Sequence, residues 1–353
     1  MQRPSSTDAC SSLPPVHFHG DAMARVLWTA DDEARATIVH DKFASTKYRL
    51  GSFLGKGGWS VVYKALRVSD GRVFAAKSTK AIQQTRREAR ILGDLKHVRC
   101  AATMLAASIR RWHLTGSGQE NILKLVEWYE EPGNVGCALL VTELCAYGNL
   151  QGRIDEASPR SLAAEEILQM VRQMGRALHY LHGQALFHTD LKASNMVLRS
   201  LEPFDVVLAD CADVRRFDGR QRHQLRGTPE YYSPEIGQHG THQGPGDDVW
   251  ALGITMLATM AQRPPCRCRK DEVEAYAATC SGHVRELLAL NPQHDMVRLL
   301  AGLLAWELND RVTAKTAAES ATALLLRERA GQGEDGETLG IEAPRNFRPV
   351  TFW

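Results

Sequence analysis

The chain has 353 residues, 44% apolar and 24% charged, enough for one large domain or two ordinary ones around a sizeable core. A formal net charge of +2 gives no global argument for nucleic acid or a membrane surface, and no apolar run nears the ~18 residues that span a bilayer. Eight cysteines without a CxxC pair argue against a disulfide framework or a zinc site, so reduced thiols in a soluble chain are expected. The leader "MQRPSSTDACSSLPP" lacks the apolar segment of a secretion signal, and a cytoplasmic or nuclear location is the expectation.

Residues 1–46, rich in Ser, Pro, Asp and Ala, predict a disordered leader. "KYRLGSFLGKGGWSVVYKALRVSDGRVFAAKS" then alternates β-branched and aromatic residues about the turn "SDG", which predicts three antiparallel strands. Gly55 and Gly57 lie between the first two; glycines there let a backbone approach phosphate oxygens, although a plain hairpin turn would use them as well. Lys77 closes the third strand. It reads either as a snorkelling surface lysine or as the partner of Glu88, the only carboxylate before Asp94 in the helix predicted over "QQTRREARILGDLKH". A Lys–Glu pair would hold the ammonium against the α and β oxygens of a triphosphate.

Residues 98–118 read as an insertion, partly helical near "AATMLAASIRRW" and open at "TGSG". "NILKLVEWYEE" and "CALLVTEL" predict two more strands around "EPGN", and "ELCAYGNL" connects them to a helical remainder. Helices are predicted over 161–182, 247–262, 271–280, 284–289, 294–306 and 313–328. Strands first and helices afterwards predict two lobes in one chain, followed by a tail over 328–353.

The chemistry concentrates in "FHTDLKASNMVL". Asp190 and Asn195 are spaced to place a proton acceptor near a nucleophilic hydroxyl and an amide oxygen near a metal, and Lys192 can neutralise a transferred phosphoryl group. Asp210, ending the apolar run "VVLAD", offers the hard oxygen that Mg²⁺ prefers.

In this order the motifs resemble those of the eukaryotic protein kinase family over residues 48–327: "GKGGWS", Lys77, Glu88, "HTDLKASN", "DCA", "GTPEYYSPE", "DVWALGITM" and "NDRVTA". The resemblance implies an α+β, bilobal fold. A small antiparallel sheet with one helix would form the N-lobe (48–143), and a larger, mainly helical C-lobe would span 146–327. It implies ATP and Mg²⁺ as cofactors, protein Ser/Thr hydroxyls as substrate, and no nucleic-acid partner or membrane span. Asp190, Lys192, Lys77 and Glu88 would be catalytic, and Asn195 and Asp210 would hold the metal. Leu54, Gly55, Gly57, Val62, Ala75, Lys77, Thr142, Glu143, Cys145 and Val197 would line the nucleotide, with Thr142 as gatekeeper and 143–145 as hinge. Glu235 and Arg311 would form a buried ion pair, and Asp248 would bond the catalytic-loop backbone. Lys192 and "GTPEY" are the features of serine/threonine members.

Three departures stand out. "DCA" replaces D-F-G, removing an aromatic ring from under the helix of Glu88. Thr189 replaces the arginine that in the family meets an activation-loop phosphate, and no Ser, Thr or Tyr lies between Asp210 and Thr228. The interval from Lys77 to Glu88 is short. The second, Thr189 with the hydroxyl-free loop, predicts a non-RD serine/threonine kinase that works without activation-loop phosphorylation. The other reading is a pseudokinase acting as a nucleotide-binding or scaffold module.

Overall fold

A computed structural model of the chain describes residues 29–40, 46–58, 60–105, 118–130, 138–155, 162–217, 225–242 and 244–331. Two lobes meet at a hinge after residue 142. The first carries a sheet of strands β1 (Thr37–His40), β2 (Thr46–Lys56), β3 (Ser60–Arg67), β4 (Val73–Thr79), β5 (Leu125–Glu130) and β6 (Ala138–Thr142), with helix α1 (Ala30–Ala34) before it and α2 (Ile82–Leu105) between β4 and β5. The sheet order is β1-β2-β3-β4-β6-β5 and every pairing is antiparallel. β2, β3 and β4 are the three strands expected from the alternating pattern, and Lys77 faces Val62 across β4 and β3.

The second lobe follows as α3 (Leu150–Asp155), α4 (Ala164–Gly183), β7 (Leu186–Phe187), β8 (Met196–Leu201), β9 (Phe204–Leu208) and β10 (Arg215–Arg216). Helices α5 (Pro234–His239), α6 (Pro245–Ala261), α7 (Val273–Leu290), α8 (Asp295–Leu303) and α9 (Ala314–Gly331) complete it. Apolar residues recur along α4 at helical spacing, and Ile167, Leu168, Val171, Met174, Leu178 and Leu181 all face the core. Gly175 lets α9 close onto α4, because a Cβ there would stand 2.9 Å from the Ala314 carbonyl. α6 is apolar on nearly every side and runs through the middle of the lobe, with Trp250 fully enclosed. No helix among the described residues is long and apolar enough to cross a membrane.

The structure corrects the sequence reading in two places. Part of the supposed disordered leader is folded: α1 is capped by Thr29, Asp32 is buried, and β1 extends the sheet. The helices expected over 271–280 and 284–289 are one helix. Ser281-Gly282 looks like a break in sequence, but Ser281 is buried against the Leu304 carbonyl, and packing on α8 outweighs the ~1 kcal/mol helix cost of one glycine. The insertion begins as a continuation of α2 to Leu105, while 106–117 and the tail beyond 331 fall outside the described residues.

The Glu235–Arg311 pair joins the loop before α9 to α5 through two bonds of 3.0 and 2.8 Å, and Arg311 also donates to the carbonyls of Gly246, Ala305 and Trp306. Arg311→Met would leave Glu235 and three carbonyls without their donor. It should cost about 3–5 kcal/mol in denaturant unfolding, whereas breaking the exposed Arg269–Asp271 pair should cost less than about 1 kcal/mol.

Candidate active site

Antiparallel pairing carries Lys77 to the inner face of the sheet, and α2 brings Glu88 up against it. Nζ of Lys77 lies 2.9 Å from Glu88 Oε2 and 2.9 Å from Asp210 Oδ1, so one ammonium bridges two carboxylates and ties together three separate elements. Burial opposes charge on Lys77, but Glu88 and Asp210 outweigh it and hold the ammonium above the usual lysine range. Burial likewise works to raise Asp210, yet Lys77 keeps that carboxyl below its ordinary value. A cavity of about 420 Å³ opens beside the triad, lined by Gly57, Ser60, Lys77, Glu88, Asp210 and Arg226 among others.

Asp190 sits on the loop between β7 and β8. Lys192 donates to Asp190 Oδ2 at 2.7 Å and to Thr228 Oγ1 at 2.8 Å, and Thr228 donates to Asp190 Oδ1 at 2.9 Å. A hydroxyl therefore already rests where it gives its proton to the carboxylate while an ammonium covers its oxygen. Asn195 commits its amide nitrogen to the Asp190 carbonyl at 2.8 Å, which directs its oxygen the other way. The backbone brings the Asp210 strand alongside: Ala209 N–H donates to the Asn195 carbonyl at 2.8 Å, and His188 Nε2 lies 3.1 Å from the Ala209 carbonyl.

The loop is held from below by Asp248, whose oxygens accept the His188 and Thr189 amides at 2.8 and 3.0 Å. Thr189 takes a left-handed φ of 70°, rare for a β-branched residue, and its hydroxyl donates to the Asp213 carbonyl at 2.9 Å. Gly227 fits above it with φ of 116°, where a Cβ would stand 2.7 Å from the Thr189 carbonyl. Arg226 and Arg215 meet the Asp213 carboxylate at 3.2 and 3.4 Å, so the segment is tied together from within.

Cys211 occupies the place of the missing aromatic. It is fully enclosed and belongs to the same core as Leu92 of α2. Burial pushes its thiol well above the usual cysteine range, so it packs as a small apolar group.

Of the residues expected at the site, Gly57, Lys77, Glu88 and Asp210 share the cavity wall. Leu54 and Gly55 lie on β2, Val62 on β3, Ala75 on β4, Thr142 at the end of β6, and Val197 on β8, where it bridges to Asn149. Ala75 pairs across the sheet with Thr142. The Gly57 N–H closes the hairpin on the Ser60 carbonyl at 2.8 Å. The Glu143 carboxylate accepts the Lys124 amide at 2.9 Å, and Arg199 grips both its oxygens at 3.1 Å while also holding Asp205 at 2.8 Å. Cys145 is pushed up to about 12, mainly by burial and then by Glu143. Sequence reasoning missed the Arg199 clamp and the role of Thr228 at Asp190. His242, after α5, is buried, and its Nε2 lies 2.6 Å from the Arg226 carbonyl. Nothing local in the sequence marks Arg199, because its partner is a hinge residue on the far side of α4.

Comparison with known proteins gives one consistent answer. The profile described as "Protein kinase domain" matches residues 48–321. Calcium/calmodulin-dependent protein kinase type I of Schizosaccharomyces pombe is 27% identical over 252 residues, covering 70% of this chain and 69% of that protein. Calcium/calmodulin-dependent protein kinase cmkB of Emericella nidulans is 31% identical over 242 residues, covering 67% of this chain but only 55% of the relative. The solved structure of the CAK complex from Chaetomium thermophilum bound to ATP-γ-S superposes with a TM-score of 0.62 at 20% identity, over 77% of this chain and 90% of the other. The autoinhibited serine kinase domain of the giant muscle protein titin gives 0.63 at 21% identity, over 80% and 82%. At these identities the structural likenesses establish the fold.

The Thr189 bond is open to test. Thr189→Val keeps the β-branched shape at the same strained φ but leaves the Asp213 carbonyl without its donor. It should cost about 1–2 kcal/mol in urea unfolding and speed limited proteolysis just after Val214. Unchanged stability and cleavage would show that the hydroxyl does not anchor the segment.

Proposed function

Since the chain belongs to the protein kinase family, we propose that it is an ATP- and Mg²⁺-dependent serine/threonine protein kinase, active without phosphorylation of its activation segment. The observation that carries this reading is the Lys77–Glu88–Asp210 triad at 2.9 Å on each side, beside an Asp190 that already accepts a hydroxyl proton bond. In this reading Asp190 orients the substrate hydroxyl and takes its proton, and Lys192 covers the oxygen and then the charge that develops on transfer. Lys77 positions the nucleotide phosphates, with Glu88 fixing its direction. The inner face of β2 to β4, the hinge 143–145 and Val197 receive the adenine.

The donor set suits Mg²⁺. Asp210 and the Asn195 amide oxygen are hard ligands, and among the described residues no cluster of three His, Cys, Asp or Glu side chains forms an all-protein cage. Two protein oxygens with the rest from phosphate and water is the arrangement this cation favours. When bound, Mg²⁺ would neutralise phosphate charge between the two loops. A second reading, a nucleotide-binding or scaffold module, draws on the same geometry: Lys77 already engages Asp210 Oδ1, an oxygen a metal would take. Protein substrates and a cytoplasmic or nuclear location belong to the proposal.

Purified protein should turn over ATP in a Mg²⁺-dependent way on a mixed Ser/Thr peptide library. Asp190→Asn should lower the rate by about 10²–10⁴-fold, and Asp210→Asn should abolish transfer while the protein stays folded. Equal rates in wild type and both variants would favour the non-catalytic module.

Constitutive activity gives a separate test. The described segment ties Arg215 and Arg226 to its own Asp213, and the sequence from Asp210 to Thr228 offers no hydroxyl between them. Phosphatase treatment should therefore leave activity within about twofold, an effect below ~0.5 kcal/mol; a large fall would place the switch elsewhere in the chain.

A further inference from the structure

The segment before the family match is built into the nucleotide side of the sheet. Strand β2 carries a bulge: Leu50 pairs with Ala65 and Phe53 with Tyr63, so Gly51 and Ser52 together oppose Lys64. A bulge leaves backbone groups of the extra residue without a ladder partner. Here the Ser52 N–H donates to Asp32 Oδ1 at 2.9 Å. The other oxygen of Asp32 takes Lys64 Nζ at 3.0 Å, together with the Thr29 amide and hydroxyl, each at 2.8 Å. One carboxylate, 0% exposed, thus bolts α1 to both strands at the point where their ladder is broken.

The bolt lies on the face that matters. β3 and β4 pair regularly, Lys64 opposite Ala75 and Val62 opposite Lys77, and cross-strand partners project to one side of a sheet. Lys64 therefore shares the inner face with Val62, two residues or roughly 7 Å along the strand. Downstream of the bulge β2 runs directly into Leu54, Gly55 and Gly57. Two further ties hold the segment: Glu33 pairs with the buried Arg49, and β1 adds three regular partners to β2 before its register shifts.

We infer that residues 29–40 are a brace for the glycine hairpin, and that Asp32 is a positioning residue for nucleotide binding, acting through Ser52 and Lys64. The inference rests on the kinase reading only for its ligand. Burial works to raise Asp32, but its bonds from Ser52 and Thr29 outweigh that and keep the carboxylate ionised at neutral pH. The brace is therefore a standing feature and not a pH switch. Carried by a hairpin that slips when unbolted, the cost of losing Asp32 falls on nucleotide affinity; Asp190, Lys192 and Asn195 belong to the other lobe.

The experiment uses the full chain with three variants: Asp32→Ala, Thr29→Val as a milder change that weakens the cap of Asp32, and Lys64→Met. Binding of the non-hydrolysable analogue adenylyl imidodiphosphate is measured by calorimetry, with hydrogen exchange of amides 52–62 followed without nucleotide. Asp32→Ala should weaken binding about tenfold, ~1.4 kcal/mol, raise KM for ATP by a similar factor and leave kcat within about twofold. Lys64→Met added to Asp32→Ala should cost little more, because both act through one contact. Exchange at 52–62 should quicken in Asp32→Ala and Thr29→Val. An Asp32→Ala or Thr29→Val protein that is less heat-stable but binds the analogue as wild type does, with unchanged exchange at 52–62, would overturn the brace. Should wild type itself bind no nucleotide, the kinase reading fails, and the exchange rates alone decide whether the segment braces the hairpin.

Discussion

The Asp190 end of the cleft hangs on one buried carboxylate. Asp248 lies in the first turn of α6, enclosed by the lobe, and a charge in that position persists only if its oxygens are filled. The His188 and Thr189 amides fill them, with His182 Nε2 at 2.9 Å as a third contact. Burial alone would raise this carboxyl; its partners outweigh that and keep it ionised. Two consecutive amides aimed at one point leave the chain little choice of φ, which is why Thr189 accepts a left-handed conformation. Once Thr189 is fixed, so is Asp190 beside it. The rigid interior of the lobe reaches the Asp190 carboxylate through Thr189, and Lys192, Thr228 and Asn195 hold it from the loop side.

The opposite end of the cleft is held by charge balance. Glu88 and Asp210 share the one ammonium of Lys77, a set that carries a net negative charge when all three are ionised. Like-charged carboxylates brought together in a partly enclosed site repel, so the arrangement is open to further cationic partners and keeps Lys77 fully charged for an anionic one. The same set links α2, β4 and the end of β9. The enclosed Cys211 adds to this link, since Leu92 of α2 and Cys211 belong to one continuous core. Closing around a smaller residue limits the cavity penalty that would otherwise follow from losing an aromatic ring.

What could be read from the sequence was whatever is encoded within a few residues. "HTDLKASN" puts an acid, a lysine and an amide on one loop, and the loop keeps them together. Alternation in 48–79 revealed three strands, because period two is imposed by the pleat itself. Contacts between distant segments left no such trace. Arg199 and Glu143 are 56 residues apart, and Lys77 and Asp210 are 133 apart; the second pair was foreseeable only from a resemblance. The folded part of the leader was hidden for a related reason. "TADDEA" is polar and short, which in isolation predicts no stable helix. It becomes ordered because Asp32 meets a bulge that composition cannot reveal, 20 residues further on.

The segment after Asp210 carries an anion of its own at the point where its arginines meet. An added phosphate orders such a segment by giving arginines an anion to converge on. Here Asp213 is that anion, and it belongs to the segment itself: Arg215 and Arg226 approach it from 2 and 13 residues away. Arg215 is partly buried, and that burial, with Arg87 and Arg226 nearby, lowers its affinity for a proton while Asp213 opposes the fall. A carboxylate carries one charge and two acceptor oxygens, fewer than a phosphate, so it alone would hold the segment weakly. The deficit is met by two further bonds, the Thr189 hydroxyl to the Asp213 carbonyl and the His242 ring at the Arg226 carbonyl. Neither bond depends on a phosphate being present. An arginine in the place of Thr189 would have added a third cation to a site with one carboxylate, and the hydroxyl avoids that imbalance while still tying the catalytic loop to the segment.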